Sequence, residues 1–312
     1  MTLLIKPKLL EHPKTKSRLL ILVSTATFFA VVLNYLPYQQ AYPEPEIVLK
    51  KANEKVFDQI NITAESAIVY DINNGEAIYS KNPNEQLPLA SVTKIMSAIV
   101  VAESGNFESP VLVTNEDVKL GSNAGVRAGD KWRLKDLLDF SLVTSSNGGI
   151  RAVASTINSL QTKTDPSFEF ISEMNNTAQK IGLKNTYFIN ETGLDIANEE
   201  YGGSFSTARD VALMLAYTLK NYPDLLSATT LPTIQKNSIS GKNTNDIVTQ
   251  IPGLLASKTG YTLTAGGNLA IIFDAGLNKP MAVVVLSSSQ ESRFSDMKAL
   301  VDATIKREAL SR

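Results

Sequence analysis

Hydrophobic and polar positions divide the chain into contrasting stretches. Residues 19–36 form an apolar run broken only by Ser24, Thr25, Thr27 and Asn34. Residues 67–71 and 76–80 are apolar, β-branched or aromatic runs around Asn73-Asn74-Gly75, a pattern that predicts a hairpin with a tight turn. Pro88 breaks the extended chain. From Ser91 the spacing predicts a helix whose Ile95, Met96, Ile99 and Val100 make an apolar face too broad for a surface helix. Residues 134–143, 149–158, 168–181 and 207–219 show helical spacing too, so 105–250 reads as mainly helical with long loops. Residues 269–273 and 281–286 then read as strands around an Asn-Lys-Pro turn, and 294–309 as an amphipathic helix. Strands at both ends with helices between them predict an α/β (α+β) domain, one sheet built from the two termini with a helical lobe inserted.

Charge changes the reading of the first apolar run. Lys6, Lys8, Lys14, Lys16 and Arg18 precede it against a single acid, Glu11, and no charge occurs from residue 19 to 43. A basic flank before such a run predicts a signal anchor, and no convincing small-x-small cleavage site follows it. The expected organisation is a basic cytoplasmic tail (1–18), a signal-anchor transmembrane segment (19–38), a linker (39–55) and one domain (56–312). The protein would sit in the cell membrane as a single-pass chain with its domain extracytoplasmic. Pro43 and Pro45 stiffen the linker. The net charge of −1 gives no reason to expect nucleic acid as a partner. There is no cysteine, which excludes disulfides, thiolate metal sites and a cysteine nucleophile. The one histidine, His12, precedes the apolar run, so a domain beyond the membrane has no imidazole. A Ser-His-Asp triad and a histidine zinc site are thereby excluded. A hydrolase built here must take its base from Lys, Asp, Glu or Tyr.

Candidate chemistry starts at Ser91, with Lys94 one helical turn on, a nucleophile beside a possible base. Ser-x-x-Lys alone is cheap, occurring by chance about once in a chain of this length. Ser295-Asp-Met-Lys298 is a second copy and reads as the solvated face of the last helix. Ser145-Ser146-Asn147 follows the helix 134–143; Ser80-Lys-Asn82 and Ser104-Gly-Asn106 match the same Ser-x-Asn pattern. Such a motif is either a polar helix terminus or a hydroxyl and amide presented to a site. Lys258-Thr259-Gly260-Tyr261-Thr262 is rarer. It reads as the start of a strand, either plainly exposed or offering an amine and hydroxyl to a carboxylate, with Gly260 admitting another backbone.

Taken in order, Ser-x-x-Lys, Ser-x-Asn and Lys-Thr-Gly resemble the D-alanyl-D-alanine carboxypeptidases, the low-molecular-weight penicillin-binding serine peptidases of bacterial walls. The likeness extends to Asp136-Leu137-Leu138, Gly193-Leu194-Asp195 and Ser206-Thr207-Ala208-Arg209-Asp210. It implies a penicillin-binding/β-lactamase-like fold with an antiparallel sheet. It implies attack by Ser91 on the D-Ala-D-Ala bond of a peptidoglycan stem peptide, with Lys94 as base. By the same resemblance, Ser145 relays a proton and Asn147 orients Lys94. Lys258, Thr259, Gly260, Tyr261 and Thr262 bind the substrate, and the N–H groups of Ser91 and Tyr261 hold the oxyanion. β-Lactams would be inhibitors, and neither metal nor cofactor is implied. The family usually has an acid where this chain has Gly148, a Pro-His-Gly-Leu segment where it has Glu191-Thr192-Gly193-Leu194, and Asp-Gly where it has Ala256-Ser257. Some members carry a C-terminal anchor whose role the N-terminal segment would take. A class A β-lactamase would need a deacylating Glu after the second motif, and Glu173-Met-Asn-Asn does not match one. A DD-endopeptidase acting on cross-bridges uses the same residues, and a non-catalytic β-lactam- or wall-binding module is the alternative outside the enzymes.

Overall fold

In chain order the elements are β1 (Ser66–Asp71), β2 (Glu76–Lys81), β3 (Leu87–Pro88), a 3₁₀ turn (Ala90–Thr93), α1 (Lys94–Ser104), β4 (Pro110–Leu112), α2 (Asn115–Val118) and β5 (Lys131–Arg133). There follow α3 (Leu134–Thr144), α4 (Asn147–Gln161), α5 (Phe170–Ile181), β6 (Tyr187–Phe188), β7 (Ser204–Ser206), α6 (Ala208–Asn221) and a second 3₁₀ turn (Ser227–Thr230). The last are β8 (Thr233–Lys236), β9 (Ile239–Lys242), β10 (Leu254–Thr262), β11 (Gly266–Asp274), β12 (Pro280–Ser288) and α7 (Ser292–Leu310). The structure, a computed structural model, describes residues 56–196 and 200–310. The expected tail, anchor segment and linker (1–18, 19–38, 39–55) lie outside the described residues. Among the described residues, no helix is long and apolar enough to cross a membrane.

The main sheet has the order β10-β11-β12-β1-β2 and is antiparallel. Its centre joins the two ends of the domain, with Ser66 opposite Leu286 and Asp71 opposite Met281, as the strands at both ends predicted. Both faces are covered, so the central strands are continuously apolar. Ile68, Ala270, Ile272, Ala282 and Val284 face the helical lobe; Ala67, Val69, Leu269, Ile271, Val283 and Val285 face a second core shared with α7. The lobe is built around α1, buried from Lys94 to Ala102 and packed on α4, α5 and α6.

The sequence expectations need amendment in places. Ser91 does not open an α-helix: the turn that holds it is 3₁₀, and α-helical bonding begins at Lys94. The reason is the left-handed Ala90 (φ 48°), which tightens the entry. Lys258 lies in the middle of β10 rather than at its start. Pairing with β11 from Leu254 opposite Phe273 carries the strand upstream of the Thr-Gly-Tyr-Thr segment. The mainly helical region also holds short strand pairs, β4 with β5, β8 with β9, and β6 with β7, the last joined by β3 from ahead of the region.

Candidate active site

The chain leading into Ser91 is held by several partners. Pro88 O accepts from Asn268 Nδ2 at 2.9 Å, and Leu89 N donates to Ser204 O at 3.2 Å. Thr93 Oγ1 donates to Ala90 O at 2.7 Å and also bonds Ser204 Oγ. Left-handed backbone in an alanine costs about 1 kcal/mol, and these bonds hold it there. Ser91 itself stays partly exposed.

Lys94 is completely buried. Its Nζ lies 2.7 Å from Ser91 Oγ, 2.8 Å from Asn147 Oδ1 and 2.9 Å from Thr192 O. The last two are obligate acceptors. A neutral amine gives each of them one N–H and keeps its lone pair for Ser91 Oγ. Burial holds the Lys94 amine well below the usual lysine range, the charge of Lys258 adds to this, and Glu191 opposes it.

Ser145 and Asn147 flank a change of helix. Ser145 ends α3 in a left-handed conformation (φ 59°), and Ser146 Oγ accepts from Gly149 N at 3.1 Å to cap α4. Two polar side chains thereby leave one corner in different directions. Asn147 meets Lys94, and Ser145 Oγ accepts from Lys258 Nζ at 3.0 Å. Both readings of Ser-x-Asn hold at once, because the cap sits on the middle serine.

Lys258 is buried and also donates to Thr259 O at 3.0 Å. Its amine is pushed down to about 7, chiefly by burial and then by the charge of Arg293. Thr259 Oγ1 bonds Thr244 Oγ1 at 2.6 Å. At Gly260 the strand runs against the nucleophile turn. A Cβ there would lie 2.6 Å from Leu89 O and 3.2 Å from Ser91 N, so only glycine admits this approach. Tyr261 projects outward, 44% exposed. Thr262 Oγ1 donates to Asp195 Oδ1 at 2.9 Å, which makes it a brace between β10 and the 190–195 loop. Arg293, from the start of α7, donates to Gly260 O at 2.7 Å.

The structure thus gathers Ser91, Lys94, Ser145, Asn147, Lys258, Thr259 and Gly260, with Tyr261 and Thr262 at the rim. A hydroxyl against an uncharged amine can attack a carbonyl, and the buried Lys258 on β10, with Arg293 of α7 behind it, can receive a carboxylate. The other motif copies are local: Ser104 Oγ bonds Val101 O, Asn82 Nδ2 bonds Glu65 O, and exposed Lys298 pairs with Asp302. Thr192, Asp195, Thr244, Glu191 and Arg293 were not singled out as site residues from the sequence. The Gly193-Leu194-Asp195 segment marked the loop but not the Thr192 carbonyl, which has no residue-type signal. Among the described residues no cluster of three or more His, Cys, Asp or Glu is placed to hold a metal.

The chain is similar to several known proteins. The D-alanyl-D-alanine carboxypeptidase DacF of Bacillus subtilis is 30% identical over 292 residues, covering 90% of this chain and 70% of that protein. A D-alanyl-D-alanine endopeptidase of Escherichia coli is 31% identical over 284 residues, covering 87% of each. Penicillin-binding protein D2 of Listeria monocytogenes, solved in an ampicillin-bound form, superposes with a TM-score of 0.65 at 27% identity, over 78% of this chain and 98% of that one. The profile of the D-alanyl-D-alanine carboxypeptidase family matches residues 51–290, and the chain belongs to that family.

Proposed function

We propose that this serine DD-peptidase of peptidoglycan acts as a D-alanyl-D-alanine carboxypeptidase on stem peptides, through an acyl-enzyme on Ser91. The observation that carries the reading is the buried Lys94 amine, fixed between Ser91 Oγ, Asn147 Oδ1 and Thr192 O. Lys94 takes the Ser91 proton as Oγ attacks the penultimate D-Ala carbonyl. The oxyanion is held by the N–H groups of Ser91 and Tyr261, worth about 3 kcal/mol per donor. The contact of Gly260 with the Ser91 turn supports that pairing. Ser145, hydrogen-bonded to Lys258, relays a proton to the departing D-Ala amine. Lys258 and Thr259 receive the terminal carboxylate. Water then hydrolyses the ester, and a β-lactam acylates the same serine but leaves slowly.

Endopeptidase action on cross-bridges is the second reading. Its support is that relatives named D-alanyl-D-alanine endopeptidase match this chain over 86–87% of their own length. The basic flank and apolar run of residues 1–38 support membrane anchorage with the domain outside.

Fluorescent penicillin is the direct test. Wild type and Ser295→Ala take up the label, and Ser91→Ala does not. Unlabelled wild type, or equal labelling of Ser91→Ala, ends the proposal. Release of D-Ala from a pentapeptide, set against cleavage of a cross-linked dimer, separates the two specificities.

A further inference from the structure

Glu191 is 9% exposed, and its Oε1 accepts no hydrogen bond. A buried carboxylate without a donor is costly unless its charge is used. Its surroundings lead back to the nucleophile helix. Glu191 O accepts from Ser97 Oγ at 2.6 Å, one turn along α1 from Lys94, and the next residue's carbonyl, Thr192 O, accepts from Lys94 itself. Asn147 Oδ1 also accepts from Lys94. Arg151 lies one turn beyond Asn147 on the same face of α4. Its Nη1 lies 3.8 Å from Glu191 Oε1, too far for a hydrogen bond but close enough for an ion pair. Glu191 is thus tied by its own backbone and its neighbour's to the helix that carries Lys94, and by its carboxylate to Arg151.

Arg151 and Glu191 border a cavity of about 180 Å³ that Ser155, Asn158, Glu169 and Phe170 also line. The charged groups that bear on Glu191 are Lys94 from α1, Arg151 from α4 and Glu169 ahead of α5. The Glu169 carboxylate is engaged by Ile171 N and Ser172 N at the cap of that helix. Lys94 in turn faces Lys258 from β10, and Lys258 faces Arg293 from α7.

We propose that Glu191 is a positioning residue for the peptidase reaction, and that the Glu191–Arg151 pair sets the charge state of Lys94 from behind the nucleophile. The inference rests on Lys94 being the base. Glu191 favours the ammonium form, against burial and Lys258, and Arg151 partly offsets Glu191. Their half-buried ion pair keeps Lys94 from being neutral at every pH at which the protein works, so its acid limb falls within reach of measurement.

The test is the rate of acylation by fluorescent penicillin from pH 5 to 10 in wild type, Glu191→Gln and Arg151→Gln. Acylation needs neutral Lys94, so the rate rises as pH passes the Lys94 midpoint. Glu191→Gln removes a negative charge and moves that midpoint down by about half a pH unit or more. Arg151→Gln uncovers Glu191 and moves it up. All three label Ser91 to completion, and the alkaline fall in rate that Lys258 imposes above about 7 is common to them. A packing role for Glu191 produces no such opposed shifts. Midpoints in both variants equal to that of wild type overturn the proposal, as does an unchanged midpoint with slowed loss of the acyl group in Glu191→Gln. Wild type that acylates with no acid limb down to pH 5 also overturns it, because the pair then leaves Lys94 neutral throughout, whereas no labelling of Ser91 at any pH removes the peptidase reading instead.

Discussion

Lys94 and Lys258 are the same residue type, buried to the same degree, yet the site needs them in opposite states. Lys94 must be neutral to accept a proton; Lys258 must be charged to hold a carboxylate. Burial lowers both, and each environment then differs in its partners. Lys94 meets two acceptors that are satisfied by a neutral amine, whereas Lys258 sits beside Arg293 and falls to about 7. The sign of the pH dependence follows. Below the Lys94 midpoint the base is protonated and attack stops. Above about 7 the free enzyme progressively loses the Lys258 charge and binds a carboxylate substrate less well. The expected profile of kcat/KM for a D-Ala-D-Ala peptide is bell-shaped, with its alkaline limb owned by Lys258. In Lys258→Arg the guanidinium stays charged, so that limb moves above pH 9 even though the different shape lowers the maximum by about tenfold or more. A pH series on a pentapeptide checks this, and an unmoved limb assigns it elsewhere. These lysines were legible in the sequence because their types and spacing carry the chemistry. The Thr192 carbonyl was not, since every residue has one.

Elements decide where those side chains point, and the α3–α4 corner does most of it. Gly148 follows Asn147 at the start of α4, where relatives by resemblance carry an acid. Here the end of α2 and the turn after it, residues 117–123, fill that place. Gly148 N donates to Asn123 Oδ1 at 3.2 Å, and Asn123 Nδ2 donates to Val118 O at 2.8 Å. A Cβ on Gly148 would lie 2.4 Å from Asn123 Oδ1 and 3.0 Å from Asp117 O. Gly148→Asp therefore destabilises the fold by about 1–3 kcal/mol, the range of overpacking in a close-packed site. Asn123→Ala in the same chain removes the nearest clashing atoms and recovers part of that loss. Thermal melts of the single and double variants test this, and a Gly148→Asp protein as stable as wild type refutes it. Helix periodicity was legible for α5, which buries one stripe, and for α3 the long apolar content carried the reading, since that helix is buried nearly all round. The 3₁₀ entry at Ser91 and the early start of β10 were not legible, since Asn268, Ser204 and the β11 pairing that impose them lie far along the chain.

Across the whole molecule, one sheet separates two cores and the site draws on both. The helical-lobe core carries Lys94 on α1; the core beneath α7 supports the opposite face of β10 to β12. That a sheet joins both chain ends was legible, because apolar runs at the ends had no other partner. How α7 is held was not: Asp296 accepts from Thr63 N, Thr63 Oγ1, Ala64 N and Ser288 Oγ, a set scattered over the sequence. The division separates stability from chemistry. Leu300 is fully buried against the sheet on α7, two turns beyond Arg293, whose guanidinium reaches Gly260 O. Ile99 is fully buried on α1, in the helix that carries Lys94. Leu300→Ala and Ile99→Ala each remove a comparable apolar volume, and each costs about 2–5 kcal/mol. Only the second loosens the helix that sets the Ser91–Lys94 distance of 2.7 Å. Leu300→Ala therefore lowers the melting temperature while folded molecules acylate at the wild-type rate. Ile99→Ala lowers both, since a misplacement of a fraction of an ångström between base and nucleophile slows proton transfer. Melting curves paired with single-turnover penicillin labelling below the transition read the two quantities separately. Equal losses of acylation rate in the two variants would mean that the cores are not independent supports of the site.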